Sequence, residues 1–283
     1  MIFRTISSLQ DQVLVWRNEK AKIGLVPTMG ALHKGHLSLV HEARRQCDRV
    51  IVSIFVNPTQ FNNSSDLSAY PRSEHEDIQL LSGIDAVFLP SPQEMYPCGS
   101  VSRLHVGGIS ERLEGQHRPG HFDGMATVVM KLFNISQAHV GFFGEKDWQQ
   151  LQVVRQMVLD FNHTISITGC ETVRDPDGLA KSSRNKRLSQ DERHKASILF
   201  QALSLTAESI KNGKDVAISE KNGKEILQKS GFDKIDYFEV CDAQTLLPAA
   251  DLTRPCRVLA AAWLGDVRLI DNVSVPKPQD KSL

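Results

Sequence analysis

His33 and His36 are the residues of this sequence with the clearest capacity for chemistry. They lie in the string PTMGALHKGH, residues 27–36, after an apolar run that predicts a strand and before residues at helical spacing. The start of a helix presents free N–H groups and a partial positive charge, which attract a phosphate group. Imidazoles placed there can donate hydrogen bonds to phosphate oxygens, and Gly30 and Gly35 allow close approach of the backbone. We therefore predict a phosphate-binding site, the alternative being two surface histidines beside a tight turn.

Two later strings supply cations and hydroxyl groups. The string KSSRN, residues 181–185, has two serines between Lys181 and Arg184, which suits a mobile phosphate clamp or, alternatively, a solvated basic loop. The string FGEKDWQQ, residues 143–150, begins at the end of a predicted strand. Ligands of open α/β sheets bind outside the carboxyl ends of the strands, so Lys146 and Asp147 are expected to face the same crevice as His33. The alternative for Asp147 is an ordinary helix cap.

A possible substrate contact follows another predicted strand. Gln60 lies in the string NPTQF, residues 57–61, directly after the apolar residues 50–56. Its amide could bind a polar substrate; without further support the string would be a turn.

The elements that must position these residues alternate between strands and helices in the first part of the chain. Short apolar runs predict strands at 23–26, 50–56, 86–89, 138–143 and 165–167, and residues 147–160 show a helical stripe. This alternation predicts a Rossmann-like parallel sheet covered on both faces.

The pattern changes after Gly178. Ser189 and Glu192 form a capping-box signature before a helix predicted at 196–210, and a second helix is predicted at 218–228. Strands follow at 235–241, 258–264 and 267–271, the last two joined by a hairpin turn at Gly265 and Asp266. We expect an α/β domain at 1–175 and a smaller α+β domain at 176–283.

Composition restricts the classes of protein that remain. The 283 residues include 33 Lys plus Arg and 33 Asp plus Glu, so the net charge is 0, which argues against a constitutive nucleic-acid binder. The 5 cysteines are scattered without a C-x-x-C pair, as is typical of a reducing compartment, and they indicate neither disulfides nor zinc. No apolar stretch approaches the roughly 20 residues that span a bilayer, and the N-terminus lacks a signal-peptide core. We expect a cytoplasmic protein without a membrane partner.

Taken together, the motifs resemble the pantoate–β-alanine ligases (pantothenate synthetases) of the nucleotidyltransferase superfamily. The resemblance covers nearly the whole chain in register. It rests on VPTMGxLHxGH from Val26, VSIFVNP from Val52, QF at Gln60, LEGxxRPGHFxG from Leu113, FGEKDxQQL from Phe143, SSRN from Ser182 and AAWLGDxRLIDN from Ala261.

This resemblance implies a two-step ligation. ATP and (R)-pantoate would give pantoyl adenylate and pyrophosphate, and β-alanine would then displace AMP to form pantothenate. His36 matches the family's proton donor, and the resemblance makes Lys146, Ser182, Ser183 and Arg184 contacts of the ATP phosphates. Gln60 and Gln150 match the positions that bind pantoate, with Gln60 also near β-alanine. The full set of residues expected to bind ATP is Met29, Gly30, Ala31, Leu32, His33, Lys34, Gly35, His36, Gly144, Glu145, Lys146, Asp147, Val173, Lys181, Ser182, Ser183 and Arg184.

The resemblance also implies Mg²⁺ arriving with ATP, a homodimer, and a smaller domain that closes over the active site. No carboxylate is assigned to Mg²⁺. Because acyl adenylates hydrolyse in water, we expect residues 118–122 (RPGHF) to form part of a wall or lid.

One departure from the family pattern concerns Lys181, where an apolar residue is usual. We expect Lys181 to add a phosphate contact; the alternative is an ammonium that points into solvent. Two other functions stay open: a different ligase or nucleotidyltransferase on the same fold, and a non-catalytic relative that binds nucleotide or tRNA.

Overall fold

The computed structural model describes residues 1–62, 64–97, 101–249 and 251–276. Those residues cluster into two compact units. Within the described ranges, the first comprises Met1–Glu111, Arg118–Glu145 and Val153–Glu171, and the second comprises Arg112–His117, Lys146–Gln152 and the residues from Thr172 onward.

Strands and helices alternate along the first part of the chain. In order they are β1 (Ile2–Phe3), α1 (Ile6–Asn18), β2 (Ile23–Thr28), α2 (Lys34–Gln46), β3 (Arg49–Ile54), α3 (Ser64–Ala69), α4 (Glu74–Leu80), β4 (Ala86–Phe88), α5 (Pro92–Met95), α6 (Glu114–His117), α7 (His121–Ser136), β5 (Val140–Gly144), α8 (Trp148–Asp160) and β6 (Ser166–Cys170).

The remaining elements belong to the second unit. They are α9 (Gln190–Ala196), α10 (Ile198–Lys211), α11 (Val216–Lys229), β7 (Lys234–Asp242), β8 (Cys256–Leu264) and β9 (Val267–Val275).

The first unit is built on a parallel sheet with the strand order β1-β4-β3-β2-β5-β6. The chain proceeds from β2 outward through β3 and β4, and then returns to the other side of β2 with β5 and β6. This change of direction between β2 and β5 is the topological switch point at which open α/β sheets bind ligands. The central strands β2 and β3 are buried on both faces, as shown by Ile23 and Val52, neither of which has any exposed surface. Their sequences are therefore continuous apolar runs rather than alternating apolar and polar residues. The predicted Rossmann-like sheet is confirmed.

The second unit has an antiparallel sheet in the order β7-β8-β9. Leu203 of α10 and Leu227 of α11 pack in one core with Phe238 and Ala260 of the sheet. The predicted hairpin lies between Leu264 and Val267, where Gly265 has a φ of 51°. The predicted capping box is also present, with the Ser189 side chain accepting from the Glu192 N–H at the start of α9.

Several boundaries differ from the predicted ones for physical reasons. β2 runs through Pro27 to Thr28, because the missing N–H of Pro27 interrupts only one bond of the parallel ladder. The helical residues predicted at 196–210 divide into α9 and α10 at Ser197. Among the described residues, no helix is long and apolar enough to cross a membrane.

Candidate active site

The loop between β2 and α2 presents both histidines at the start of a helix. His33 is the N-cap of α2, and its Nδ1 accepts a hydrogen bond from the Gly35 N–H at 3.1 Å. The Nδ1 of His36 accepts from the His33 N–H at 3.3 Å, and the two ring centroids are 4.1 Å apart. Because Nδ1 is the acceptor in both neutral rings, Nε2 carries the proton in both. Both rings therefore place an Nε2–H group at the start of a helix, a position that suits phosphate binding.

A buried carboxylate fixes the same loop from behind. Asp77 of α4 is only 2% exposed. Its Oδ2 accepts from the Ala31 N–H at 2.9 Å and its Oδ1 accepts from the Leu32 N–H at 2.7 Å. These bonds hold Ala31 at a φ of 50°, a left-handed conformation that is uncommon for a residue with a side chain. The strained turn orients His33 at the helix start.

Gln60 lies in a second polar group of the first unit. It ends a 3₁₀ turn that follows β3, and its Oε1 accepts from the Asn57 Nδ2 at 3.0 Å. Its Nε2 lies 3.1 Å from the Sδ of Met29, which brings Gln60 beside the β2–α2 loop. His121 Nδ1 donates to the Gln60 carbonyl oxygen at 2.8 Å. The Gln60 side chain and backbone are thus both fixed.

Gly124 allows α7 to pack directly against this turn. A Cβ on Gly124 would lie 2.3 Å from the backbone oxygen of Thr59, closer than any real contact. The Gly124 carbonyl in turn accepts from Asn57 Nδ2 at 3.1 Å. The first residues of α7, His121 and Phe122, are buried, and the wall predicted for residues 118–122 stays a prediction. Whether residues 118–122 become more ordered when ligand binds stays a prediction.

The predicted nucleotide-contact residues of the first unit meet at one edge of the sheet. Residues 29–36 follow the carboxyl end of β2, while Gly144 and Glu145 lie at the end of β5, its neighbour in the sheet. Gln60 follows β3, which pairs with β2 on the other side. These residues therefore lie at one edge of the sheet, while the shared crevice expected for Lys146, Asp147 and His33 stays a prediction.

The second unit holds Lys146, Asp147 and Gln150 at the start of α8. The Lys146 carbonyl accepts from the Asn272 Nδ2 at 3.0 Å. Gln149 is 3% exposed; its Nε2 donates to the Arg112 carbonyl at 2.8 Å and its Oε1 accepts from the Glu114 N–H at 2.9 Å. The backbone around Lys146 and Gln150 is therefore held by buried neighbours.

The string KSSRN follows a small hairpin in the second unit. Arg174 pairs with Ala180 across that hairpin, and the Lys181 N–H donates to the Val173 carbonyl at 2.9 Å. The side chain of Ser182 accepts from the Arg184 N–H and begins a 3₁₀ turn at Ser183–Arg187. Residue Val173 is therefore part of the support of the serine loop.

Lys181 has a protein partner. Its ammonium contacts the carboxylate of Asp175, which also accepts from Arg193 at 3.2 Å. The ammonium is thus paired rather than extended into solvent, and a contact with phosphate stays a prediction.

The supporting contacts of three residues were not predicted from the sequence, namely those of Asp77, of Asn57 and of His121, which was expected only as part of the wall segment 118–122. Each acts mainly on backbone groups or on another side chain, so no spacing of chemically similar residues marks them. Asn57 lies in the string NPTQF, and its position as a polar residue shortly after a strand is the sequence feature that could have indicated its role.

Known proteins match this chain over nearly its whole length. The model of the pantoate–β-alanine ligase family matches residues 1–274. The chain belongs to the pantoate–β-alanine ligase family. It is an enzyme by that membership, and the resemblance inferred from the motifs is confirmed.

Similar sequences and structures agree with this membership. The pantothenate synthetases of Cereibacter sphaeroides and Paracoccus denitrificans are 51% and 50% identical over 276 residues, which cover 97% of this chain and 99% and 98% of theirs. A crystal structure of pantothenate synthetase from Thermus thermophilus has a TM-score of 0.92 and 42% identity, covering 97% of this chain and 99% of that one. Pantoate–β-alanine ligase from Francisella tularensis, crystallised with a β,γ-ATP compound and β-alanine, has a TM-score of 0.81 and 38% identity with 99% coverage of both chains.

Proposed function

We propose that this chain ligates (R)-pantoate and β-alanine to pantothenate, with ATP as the second substrate and pantoyl adenylate as the intermediate. The observation that carries the proposal is the pair of Nε2–H donors at the start of α2, at the switch point of the sheet, in a chain of this ligase family. The Francisella relative, which was crystallised with a β,γ-ATP compound and with β-alanine, supports both ligand classes.

In the first step a carboxylate oxygen of pantoate attacks the α-phosphorus of ATP. The bond between that phosphorus and the bridging oxygen breaks, and pyrophosphate leaves with the electron pair. His33 and His36 donate Nε2–H bonds to the phosphate oxygens that gain charge, which stabilises the transition state more than the ground state. Lys146, Ser182, Ser183 and Arg184 hold the remaining phosphate oxygens.

In the second step the neutral amine of β-alanine attacks the acyl carbon of the adenylate. The bond from that carbon to the AMP oxygen breaks, AMP leaves with the electron pair of that bond, and the amine gives up a proton to solvent as the amide forms. Gln60 and Gln150 orient pantoate through its hydroxyl and carboxylate groups, and Gln60 also contacts β-alanine. Fixing the Gln60 amide through Asn57 limits the freedom that would be lost on binding.

Mg²⁺ enters this scheme as a part of the Mg–ATP substrate. The side chains assigned to the phosphates are ammonium, guanidinium, imidazole and hydroxyl groups, which suit phosphate oxygens and not a cation. Among the described residues, no cluster of three or more His, Cys, Asp or Glu side chains could hold a metal. We assign no protein ligand to the ion, which would be held by phosphate and water oxygens.

The test is pyrophosphate release by the purified protein from Mg–ATP and (R)-pantoate, with and without β-alanine. We expect one equivalent of pyrophosphate without β-alanine, and sustained formation of AMP and pantothenate with it. Turnover only with another acid or amine would reject the substrate assignment, and no release with any combination would reject ATP-dependent ligation.

Three further assignments belong to the same proposal. The chain works in the cytoplasm, which is supported by the free thiols of Cys47, Cys170, Cys241 and Cys256. It acts as a homodimer, which sedimentation would test. Its domains are residues 1–175 and 176–283, which limited proteolysis would test by the position of the first cut.

A further inference from the structure

Two neighbouring residues of β9, Asp271 and Asn272, contact both segments that carry the proposed phosphate ligands of the second unit. Each is 4% exposed. The sequence places them at the end of the motif AAWLGDxRLIDN, to which the reaction scheme gives no role.

Asp271 holds the hairpin that leads into Ser182. The Arg174 guanidinium donates to Asp271 Oδ2 at 2.6 Å and to Oδ1 at 2.9 Å, and also reaches the Asn272 carbonyl at 3.3 Å. Arg174 additionally donates to the Gly178 carbonyl at 3.0 Å and stacks on Phe200, with its Cζ 4.0 Å from the ring centroid. A bidentate pair of this kind fixes both position and orientation. Arg174 pairs with Ala180 across the hairpin. Fixing the position of Arg174 therefore also fixes the backbone that leads into Ser182.

Asn272 holds the other segment. Its Nδ2 donates to the Lys146 carbonyl at 3.0 Å, and its Oδ1 accepts from Arg257. The Arg257 guanidinium in turn stacks on Trp148, with its Cζ 3.6 Å from the ring centroid. The Asn272 N–H donates to Asp271 Oδ1 at 2.8 Å, which couples the two side chains.

Residues 146 and 182–184 are far apart in sequence, so a common support is needed to hold their cations and hydroxyl groups in one arrangement. We propose that Asp271 and Asn272 are positioning residues, which align Lys146 with Ser182, Ser183 and Arg184 for one triphosphate without contacting it. This inference rests on the proposed function for the identity of the ligand. The contacts of Asp271 and Asn272 with the two segments do not depend on which ligand binds.

Hydrogen exchange of the ligand-free protein tests the contacts without reference to activity. In Asp271→Asn, we expect faster exchange of the hairpin amides of Asp175, Gly178 and Lys181, which are hydrogen-bonded within the hairpin. In Asn272→Ala, we expect faster exchange in a peptide that covers residues 145–152. Ser274→Ala, an exposed position on the same strand, is the matched control and should leave both segments unchanged. Unchanged exchange in both variants would overturn the inference, even if the protein proved not to be an ATP-dependent ligase.

A double-mutant cycle tests the mechanism of action. We expect Asn272→Ala to lower the rate of pyrophosphate release about 10- to 100-fold, as a misplaced reacting group does, with little change in KM for β-alanine. Because Asn272 is proposed to act through Lys146, the double variant with Lys146→Met should be no slower than Lys146→Met alone. Independent, multiplying losses would show a general structural role and contradict the proposal. If the wild type releases no pyrophosphate, the proposed function fails and the exchange experiment alone decides this inference.

Discussion

The imidazoles of His33 and His36 are oriented by hydrogen bonds that the backbone donates to them. Each Nδ1 accepts an N–H of the same short segment, and this arrangement caps α2 at the same time. The histidines therefore serve local structure through one nitrogen and carry a donor on the other. The same two hydrogen bonds therefore fix both the ring orientation and the start of the helix.

Replacing His36 tests the donor role. We expect His36→Ala to lower the rate of pyrophosphate release about 10²- to 10³-fold, the usual effect of removing one donor to a developing oxyanion. The lost cap should lower the free energy of unfolding by only about 1 kcal/mol, so the variant should fold. His41→Ala, at an exposed position on the same helix, is the control. Near-normal pyrophosphate release by His36→Ala in a single turnover would contradict the donor role.

Lys181 offers a second test at the residue scale. Since its ammonium already contacts the carboxylate of Asp175, we expect Lys181→Met to change KM for ATP less than about threefold and stability by no more than about 1 kcal/mol. Arg184→Met should raise KM for ATP by a larger factor. A comparable rise in KM for both variants would show that Lys181 leaves Asp175 to bind phosphate, as its position before the serines suggests.

Among the elements, α4 fixes the loop between β2 and α2, an effect that its sequence does not predict. It is a single short helix, yet its buried Asp77 supplies both acceptors for the backbone of the β2–α2 loop. The conformation of the loop that carries the histidines is thus determined by β2, α2 and α4 together.

The variant Asp77→Asn should loosen this loop. An amide can accept from only one of the two N–H groups and turns its own N–H₂ toward the other, so Ala31 loses the support for its left-handed φ. We expect KM for ATP to rise and pyrophosphate release to slow, with KM for pantoate nearly unchanged, because Gln60 is held separately by Asn57. Glu76→Gln, exposed on the same helix, is the control. Equal losses for both substrates would indicate general unfolding instead.

The sequence predicted the elements with strong local patterns and missed those defined by their surroundings. The run at 50–56 predicts a strand because β-branched residues dominate it, and residues 267–271 are predicted as a strand together with the turn at Gly265 and Asp266. Helix α7 was missed because it is buried on most sides, as shown by Phe122, Val129 and Phe133, and such a helix has no polar stripe to reveal its period. Helix α1 carries Leu9, Val13 and Trp16 at helical spacing, so its pattern is visible in the sequence.

The candidate site divides in the same way. His33, His36 and Lys146 are predictable because they lie at fixed positions of motifs that the family shares. Asp77 and Asn57 are not, because their partners are backbone groups or one other side chain, and such contacts leave no pattern in the sequence.

At the scale of the whole molecule, the second unit contains a network of buried charged groups. Arg268 pairs with Glu114 at 2.7 Å and with Asp236 at 2.7 Å, while the Tyr237 hydroxyl donates to Glu114 at 2.8 Å. Burial favours the neutral form of Tyr237 and, with the nearby Glu114, raises its pKa well above the ordinary value. These contacts attach α6 to β7 and β9, and each buried charge is compensated by a partner of opposite charge.

Stability should therefore depend on pH through Asp236. Burial alone would raise the pKa of this carboxyl, but hydrogen bonds from Arg268, Lys234 and Trp263 hold it below the ordinary value of 3.8. Because the folded pKa is the lower one, the stabilisation is fully present above about pH 4 and is lost as the pH falls through the folded pKa. Thermal unfolding between pH 6 and pH 3 should show a steep loss of stability, less steep in Asp236→Asn. Asp266→Asn, at an exposed turn, should keep the wild-type slope.

The path of the chain has a consequence for recombination. Residues 112–117 and 146–152 belong with the second unit although first-unit sequence surrounds them. A chimaera made with a relative by one crossover near residue 175 would combine Glu114 and Gln149 from one parent with Arg268 and Tyr237 from the other. Hybrids that exchange the two short segments together with the C-terminal part should fold more often. The part of this protein that can be exchanged as one folding unit therefore consists of three separate segments of the chain.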